Sequence, residues 1–114
     1  MNTLLQGRAG EARAAEYLRK KGWEIIAASY RSRFGEIDLI ARRRGTVAFV
    51  EVKLRRSDAF AAACEAVDAR KQERLRRTAA CWLAESGGDW DCRFDVIEVY
   101  TGSGRINHIE NAFQ

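Results

Sequence analysis

Proline is absent from the 114 residues, histidine occurs once, at His108, and cysteine three times, at Cys64, Cys81 and Cys92. With no CxxC and a single histidine, the chain argues against a structural zinc site. An odd number of widely spaced cysteines fits free, buried thiols in a reducing compartment. No apolar run approaches the roughly 20 residues of a membrane-spanning helix. Residues Met1 to Arg8 lack a signal-peptide core, so a soluble, cytoplasmic protein with no membrane partner is expected. No repeat, proline-rich linker or low-complexity tract divides the chain, and its length suits one domain over residues 1–114.

Apolar residues make up 46% of the chain, enough for a packed core, and charged residues 32%, which demands a densely ionic surface. The formal net charge is only +4, yet the arginines are unevenly placed. Arg31, Arg33, Arg42, Arg43, Arg44, Arg55 and Arg56 surround a central hairpin, and Arg70, Arg74, Arg76 and Arg77 lie on the helix that follows it. Such clusters suit a polyanionic partner, nucleic acid first among them. A solvated basic face with no partner fits the charge equally well.

Helical patterning runs from about Arg8 to Lys21, with Gly22 as C-cap. Glu11, Ala14, Ala15 and Leu18 share one stripe, so Glu11 stands on an apolar face. Trp23 to Tyr30 reads as a strand, and Glu36 to Arg42 with Thr46 to Lys53 as a β-hairpin. Ala59 to Ala66 is either a loop or a short helical turn. Asp68 is an N-cap for a second helix reaching about Ser86, with a stripe of Val67, Lys71, Leu75, Thr78, Ala79 and Trp82. Ser86-Gly87-Gly88-Asp89 breaks it, Arg93 to Tyr100 is a fourth strand, and Arg105 to Glu110 a short fifth. The order αβββαβ(β) describes an α/β fold, a central mixed sheet flanked by helices.

The hairpin carries the chemistry. A two-residue loop at Arg44-Gly45, or a four-residue loop from Arg43 to Thr46, places Asp38 opposite Glu51 and Glu36 opposite Lys53. A three-residue loop at Arg43–Gly45 breaks that register. Like charges set about 4.5–5.5 Å apart at Cβ destabilise a sheet, so the pair needs a reason. One is a hard divalent cation such as Mg²⁺, which uses one or two carboxylates and keeps several waters. Lys53, on the face of Glu51, would then orient or activate a metal-bound water, or stabilise charge growing on a phosphate. The other is an exposed hairpin face neutralised by Lys53 and nearby arginines. Ile40, Val47 and Phe49 on the same face argue that it is partly covered. Asp95, on a strand face with Ile97 and Val99, is better explained by a buried ion pair with an arginine than by metal.

Glu36-Ile37-Asp38, an interval, then Glu51-Val52-Lys53 resembles the D…ExK core of the PD-(D/E)xK nuclease superfamily, which includes Holliday-junction resolvases and many restriction enzymes. Further segments extend the likeness: Gly7-x-x-Gly10-Glu11-x-x-Ala14-x-x-Tyr17-Leu18, Gly35-Glu36-Ile37-Asp38-Leu39-Ile40, Phe49-Val50-Glu51-Val52-Lys53, Lys71 with Leu75, and Arg93-Phe94-Asp95-Val96. In their order and spacing they resemble the YraN-like family of small bacterial proteins over almost the whole chain.

The resemblance implies a restriction-endonuclease-like domain and a Mg²⁺-dependent nuclease, with Mn²⁺ as a substitute. Its substrate would be DNA rather than RNA, and branched, flapped or damaged DNA rather than a specific sequence. Asp38 and Glu51 fall on the superfamily's metal ligands, Lys53 on its catalytic lysine, and Glu11 on the first-helix glutamate that completes the site. Lys71 or Gln72 falls where many members carry a polar residue on the next helix, although a snorkelling lysine describes Lys71 equally well. Glu36 is expected to pair with Lys53 as a supporting partner. Resolvase-like relatives cut two strands as dimers, so a homodimer is expected. Two departures stand out: Ser29, where relatives often carry asparagine, and Ala59–Ala63, where relatives tend toward a glycine-bearing loop. A catalytically silent nucleic-acid-binding module, or a basic module that binds an acidic protein, are the competing readings.

Overall fold

In the computed structural model the described residues are 3–55 and 67–114, with side chains from residue 7 onward. Arg56, Cys64 and the alanine-rich segment around 59–66 lie outside them. The elements run α1 (Thr3–Lys20), β1 (Glu24–Ser32), β2 (Gly35–Arg43), β3 (Thr46–Arg55), α2 (Ala69–Ser86), β4 (Asp91–Tyr100) and β5 (Ile106–Phe113). The αβββαβ(β) order expected from the sequence is the order observed.

The sheet is five-stranded and follows chain order, β1-β2-β3-β4-β5. All neighbours are antiparallel except β3 and β4, which run parallel. Parallel neighbours need a crossover rather than a hairpin. The chain between β3 and β4 includes α2 and supplies it. Alternating side chains along the central strands are therefore covered on both faces. Ala14, Ala15 and Leu18 of α1 pack with Trp23, Leu39, Ala41, Ala48, Val50, Ile97 and Val99 on one side. Leu75, Ala79 and Trp82 of α2 pack with Ile37, Ile40, Val47, Phe49 and Val96 on the other. Both helical stripes read from the sequence face the sheet. Among these, Leu18, Ile40 and Phe49 are all but inaccessible, and truncating any to alanine should cost about 2–5 kcal/mol.

The helix ends follow from single residues. Gly22 has φ +92 and donates its N–H to the Arg19 carbonyl, while Trp23 donates to Leu18. This pair of bonds is a Schellman cap, with Trp23 and Leu18 in the same apolar cluster behind it. Asp68 caps α2 by accepting from the Lys71 N–H at 2.8 Å. Gly10 lets α1 approach β3: a Cβ there would stand 2.6 Å from Leu54 Cδ2. That close approach fixes the height of the next residue, Glu11, above the sheet. Among the described residues, no helix is long and apolar enough to cross a membrane.

Candidate functional site

The hairpin turn is the two-residue form, since Arg43 pairs with Thr46 and the ladder continues in register to Leu39 opposite Val50. The residue with left-handed backbone is Arg44, at φ 59. One step beyond Leu39 and Val50 the next pair in that register is Asp38 and Glu51. There the Val52 N–H is bonded to the Asp38 carboxylate, Oδ2, at 2.8 Å. A side chain has thus replaced a strand carbonyl where the paired ladder stops.

A break in alternation accompanies the opening. Leu39 belongs to the core under α1, whereas Ile37, two residues earlier, belongs to the core under α2. Regular pleating would put both on one face. Across the β1–β2 ladder, Ala28 pairs with Leu39 and Tyr30 with Ile37, so Ser29 is the residue facing Asp38. Ser29 has φ 55, a left-handed conformation that asparagine tolerates better than serine. Both strands are kinked at the same level, and Asp38 sits at the kink.

Glu51 is 5% exposed and is met by two ammonium groups. Lys71 Nζ, reaching down from α2, lies 2.5 Å from Glu51 Oε2, and Lys53 Nζ lies 3.6 Å from the same oxygen. Burial and the neighbouring charge of Glu51 push the Asp38 carboxyl up to about 7; a hydrogen bond shared with Glu51 adds to this, and the Val52 N–H opposes it. For Lys71, burial works against the charged form, but the contact with Glu51 prevails and its pKa is raised. The two carboxyl groups are therefore close neighbours, and Asp38 keeps its proton to a higher pH than an ordinary aspartate.

Glu11 stands at the edge of this group. Burial raises its pKa, followed by the charge of Glu36; a long hydrogen bond of 3.5 Å from the Ser29 hydroxyl opposes them, and Glu51 contributes a smaller upward push. Among the described residues no three His, Cys, Asp or Glu side chains form a group that could hold a metal ion. Of the three expected ligands, Asp38 and Glu51 are brought together and Glu11 is not closed onto them.

The expected pairing of Glu36 with Lys53 is incorrect. Glu36 is paired with Arg31 across the β1–β2 ladder, at 3.3 Å, and Lys53 is turned to Glu51. The kink at Asp38 explains it: the face carrying Asp38 no longer carries Glu36. Gln72 also lies away from the pair, donating to the Val67 carbonyl at 2.8 Å and accepting from Arg76 at 3.2 Å. Lys71, one residue earlier on the helix, is the α2 residue that reaches the site. The apolar stripe of Val67, Lys71 and Leu75 separates the two in the sequence, since it holds Lys71 and not Gln72.

The arginines divide into two groups. Arg31, Arg42 and Arg55 are engaged by Glu36, Glu24 and Glu98, the last pair mostly buried at 3.1 Å. Arg33, Arg44, Arg70 and Arg74 are exposed, with Arg33 resting over the Phe34 ring. Arg43 lies 4.5 Å from the Trp23 ring centroid. Asp95 bears out the ion-pair reading: Arg93 binds it at 3.0 Å, His108 Nε2 at 2.7 Å and the Asn111 N–H at 3.0 Å.

These features define a mixed α/β protein with two carboxyls and two lysines converging where a central hairpin opens. The profile of the "Uncharacterised protein family UPF0102" matches residues 10–99, a span holding Glu11, Asp38, Glu51, Lys53 and Lys71. A UPF0102 protein of Alkaliphilus metalliredigens is 47% identical, covering 94% of this chain and 96% of its own. One from Nocardia farcinica is 48% identical, covering 94% and 87%. One from Symbiobacterium thermophilum is 50% identical, covering 94% of both. The chain belongs to the UPF0102 family, the YraN-like family that its motifs resemble.

Proposed function

We propose that this protein is a Mg²⁺-dependent endonuclease that hydrolyses DNA phosphodiesters, selecting branched, flapped or damaged structures over sequence. The observation that carries the reading is half-buried Asp38 set next to buried Glu51, with Lys53 Nζ 3.6 Å from Glu51 Oε2. Two carboxyls stand together at the cost of pushing one to about 7, and with both ammoniums on Glu51 it is Asp38 that is left short of positive charge. Their hard oxygen donors suit Mg²⁺, which needs one or two carboxylates and takes water for the rest. Asp38 and Glu51 would hold the ion, with Glu11 as a third oxygen donor nearby. Bound there, the cation supplies Lewis acidity to the phosphate and lowers the pKa of the attacking water.

The chain's own residues supply the remainder. Lys53 keeps an ammonium beside the pair, where it opposes charge building on the phosphate oxygens. Lys71 neutralises Glu51 when no other cation is present. Hydrolysis places the water oxygen on phosphorus and breaks one P–O ester bond, and the departing sugar oxygen takes a proton. Exposed Arg33, Arg44, Arg70 and Arg74 would contact the backbone, so affinity should fall steeply with salt. A homodimer would present two such centres to two strands.

The test is cleavage of forked, flapped, four-way and single-stranded DNAs, with RNA alongside, in Mg²⁺ or Mn²⁺. Asp38→Asn, Glu51→Gln and Lys53→Ala should each lower the rate by about 10²–10⁴-fold. Sedimentation of the same samples that shows only monomer, with and without DNA, removes the dimer. A second reading, a nucleic-acid-binding module without catalysis, is favoured by one observation: Lys71 already occupies Glu51 while Glu11 stands apart. Binding without cleavage, unchanged by all three substitutions, would establish that reading and sink the nuclease.

A further inference from the structure

A cleft of about 570 Å³ opens at the turn end of the sheet, lined by Lys21, Trp23, Arg43, Arg44, Thr46 and Arg93. Three distant stretches meet there. Arg43 Nη1 donates to the Lys21 carbonyl at 3.0 Å, tying the end of α1 to the hairpin. The Asp91 N–H donates to Gly45 at 3.1 Å, and the parallel register sets Ala48 beside Arg93. Two guanidiniums stand near one indole, with Arg43 4.5 Å and Arg93 5.0 Å from the Trp23 ring centroid.

Part of this charge has a structural purpose. The C-terminal end of a helix carries partial negative charge, and cations near it are favourable. The Trp23 ring face adds a further attraction for both guanidiniums. Arg93 also pairs with Asp95 and Glu110. Those roles leave much unexplained. Among the described residues Lys21, Arg43 and Arg44 form no ion pair, since the nearby Glu24 is taken by Arg42. Arg93 Nε is buried without a hydrogen-bond partner among them, which leaves a desolvated donor unanswered. Arg44 holds a left-handed backbone at φ 59, where glycine or asparagine would be less strained.

We propose that this cleft is a phosphate-binding site, separate from the carboxylate pair, which holds a backbone phosphate of a bound nucleic acid. Converging guanidiniums match phosphate oxygens in geometry as well as charge. From Thr46 to Glu51 along β3 is five residues, about 17 Å at 3.3 Å per residue, so this phosphate is not the reacting one. The site needs neither metal nor cleavage, and it stands or falls apart from the nuclease reading. The same donors would also take free phosphate, so both sources enter the test.

Binding of labelled duplex and single-stranded DNA is followed by fluorescence anisotropy across a salt series in EDTA. The wild type is compared with the double variant Lys21→Glu/Arg44→Glu, whose side chains are exposed, with circular dichroism confirming the fold. Arg105→Glu, an equally exposed charge reversal, is the control. The double variant should bind DNA about tenfold more weakly, and the slope of log K against log salt should fall by about 1–2, with the control near wild type. Calorimetric titration with inorganic phosphate and pyrophosphate runs in parallel. DNA weakening beyond the control identifies the backbone as the ligand. Phosphate binding that the double variant abolishes, with DNA affinity intact, keeps the phosphate site but overturns its nucleic-acid ligand. No difference from the control in either titration overturns the proposal.

Discussion

Two aspartates of the same sheet, Asp95 buried and Asp38 half-buried, meet opposite outcomes. Asp95, on β4, is 1% exposed. Burial alone would raise its pKa, but His108, the Asn111 N–H and Arg93 outweigh that and hold it below the ordinary value. Being ionised it can only accept, so His108 Nε2 carries the hydrogen, and in the neutral ring Nδ1 accepts from the Tyr17 hydroxyl at 3.1 Å. Both carboxylate oxygens of Asp95 are answered. Asp38, on β2, has one backbone N–H and a second carboxyl for company, and its pKa rises to about 7. Loss of solvent pushes both carboxyls upward, so the partners decide the sign. A fully satisfied carboxylate belongs to the architecture, and one left short of positive charge is available for a ligand.

The comparison breaks most visibly under substitution. Asp95→Asn takes the anion from His108 and leaves Arg93 only exposed Glu110, and should cost about 3 kcal/mol in urea denaturation. Asp38→Asn should act the other way, gaining on the order of 1 kcal/mol at pH 8, because it removes a like-charge contact. Loss of stability in both, or in neither, would erase the distinction. The pH dependences also differ in direction. The depressed folded pKa of Asp95 gives stability that is present above the ordinary value of 3.8 and is lost as pH falls through the folded pKa. The raised pKa of Asp38 gives stability that is greatest below 3.8 and is lost as pH rises toward about 7. The Asp95→Asn variant should therefore show a flatter acid limb, and Asp38→Asn a flatter limb between about 4 and 7.

A smaller effect sharpens the same contrast. If Asp38 shares a proton near neutrality, Mg²⁺ binding should displace it. Calorimetry in buffers of different ionisation heat should show proton release on Mg²⁺ binding at pH 7, shrinking as pH rises and absent in Asp38→Asn. Equal heats in all buffers at pH 7 would mean that the pair is already fully ionised. The smallest expected effect concerns the kink itself. Ser29→Asn should add about 0.5–1 kcal/mol, because asparagine enters the left-handed region more readily. A loss instead would show that the Ser29 hydroxyl matters more to Glu11 than the backbone strain does.

Local rules reach far in this chain. The helical stripes Ala14-Ala15-Leu18 and Leu75-Thr78-Ala79-Trp82, the cap at Gly22 and the N-cap at Asp68 depend on neighbours within a few residues, and each is legible in the sequence. The hairpin register follows from loop length, since two residues between Arg43 and Thr46 determine which side chains face each other. Loop length alone is enough to bring Asp38 opposite Glu51. Asp95 is legible as an ion pair because a charge on a strand face otherwise filled by Ile97 and Val99 requires one.

The consequence of β1 docking on β2 is not written in any local pattern. Glu36-Ile37-Asp38-Leu39-Ile40 alternates without a fault, yet the strand breaks phase at Asp38, where left-handed Ser29 faces it. That single kink moves Glu36 to Arg31, leaves Lys53 to Glu51 and opens the ladder at the carboxylate pair. Lys71 on Glu51 depends on the packing of α2, and the basic cleft on three turns meeting in space. Short-range periodicity is sufficient for the elements, the helix faces and one register, because each of these is set within a few residues along the chain. Which charges meet is settled by packing, because electrostatic partners are chosen by distance across strands and helices rather than by separation in sequence.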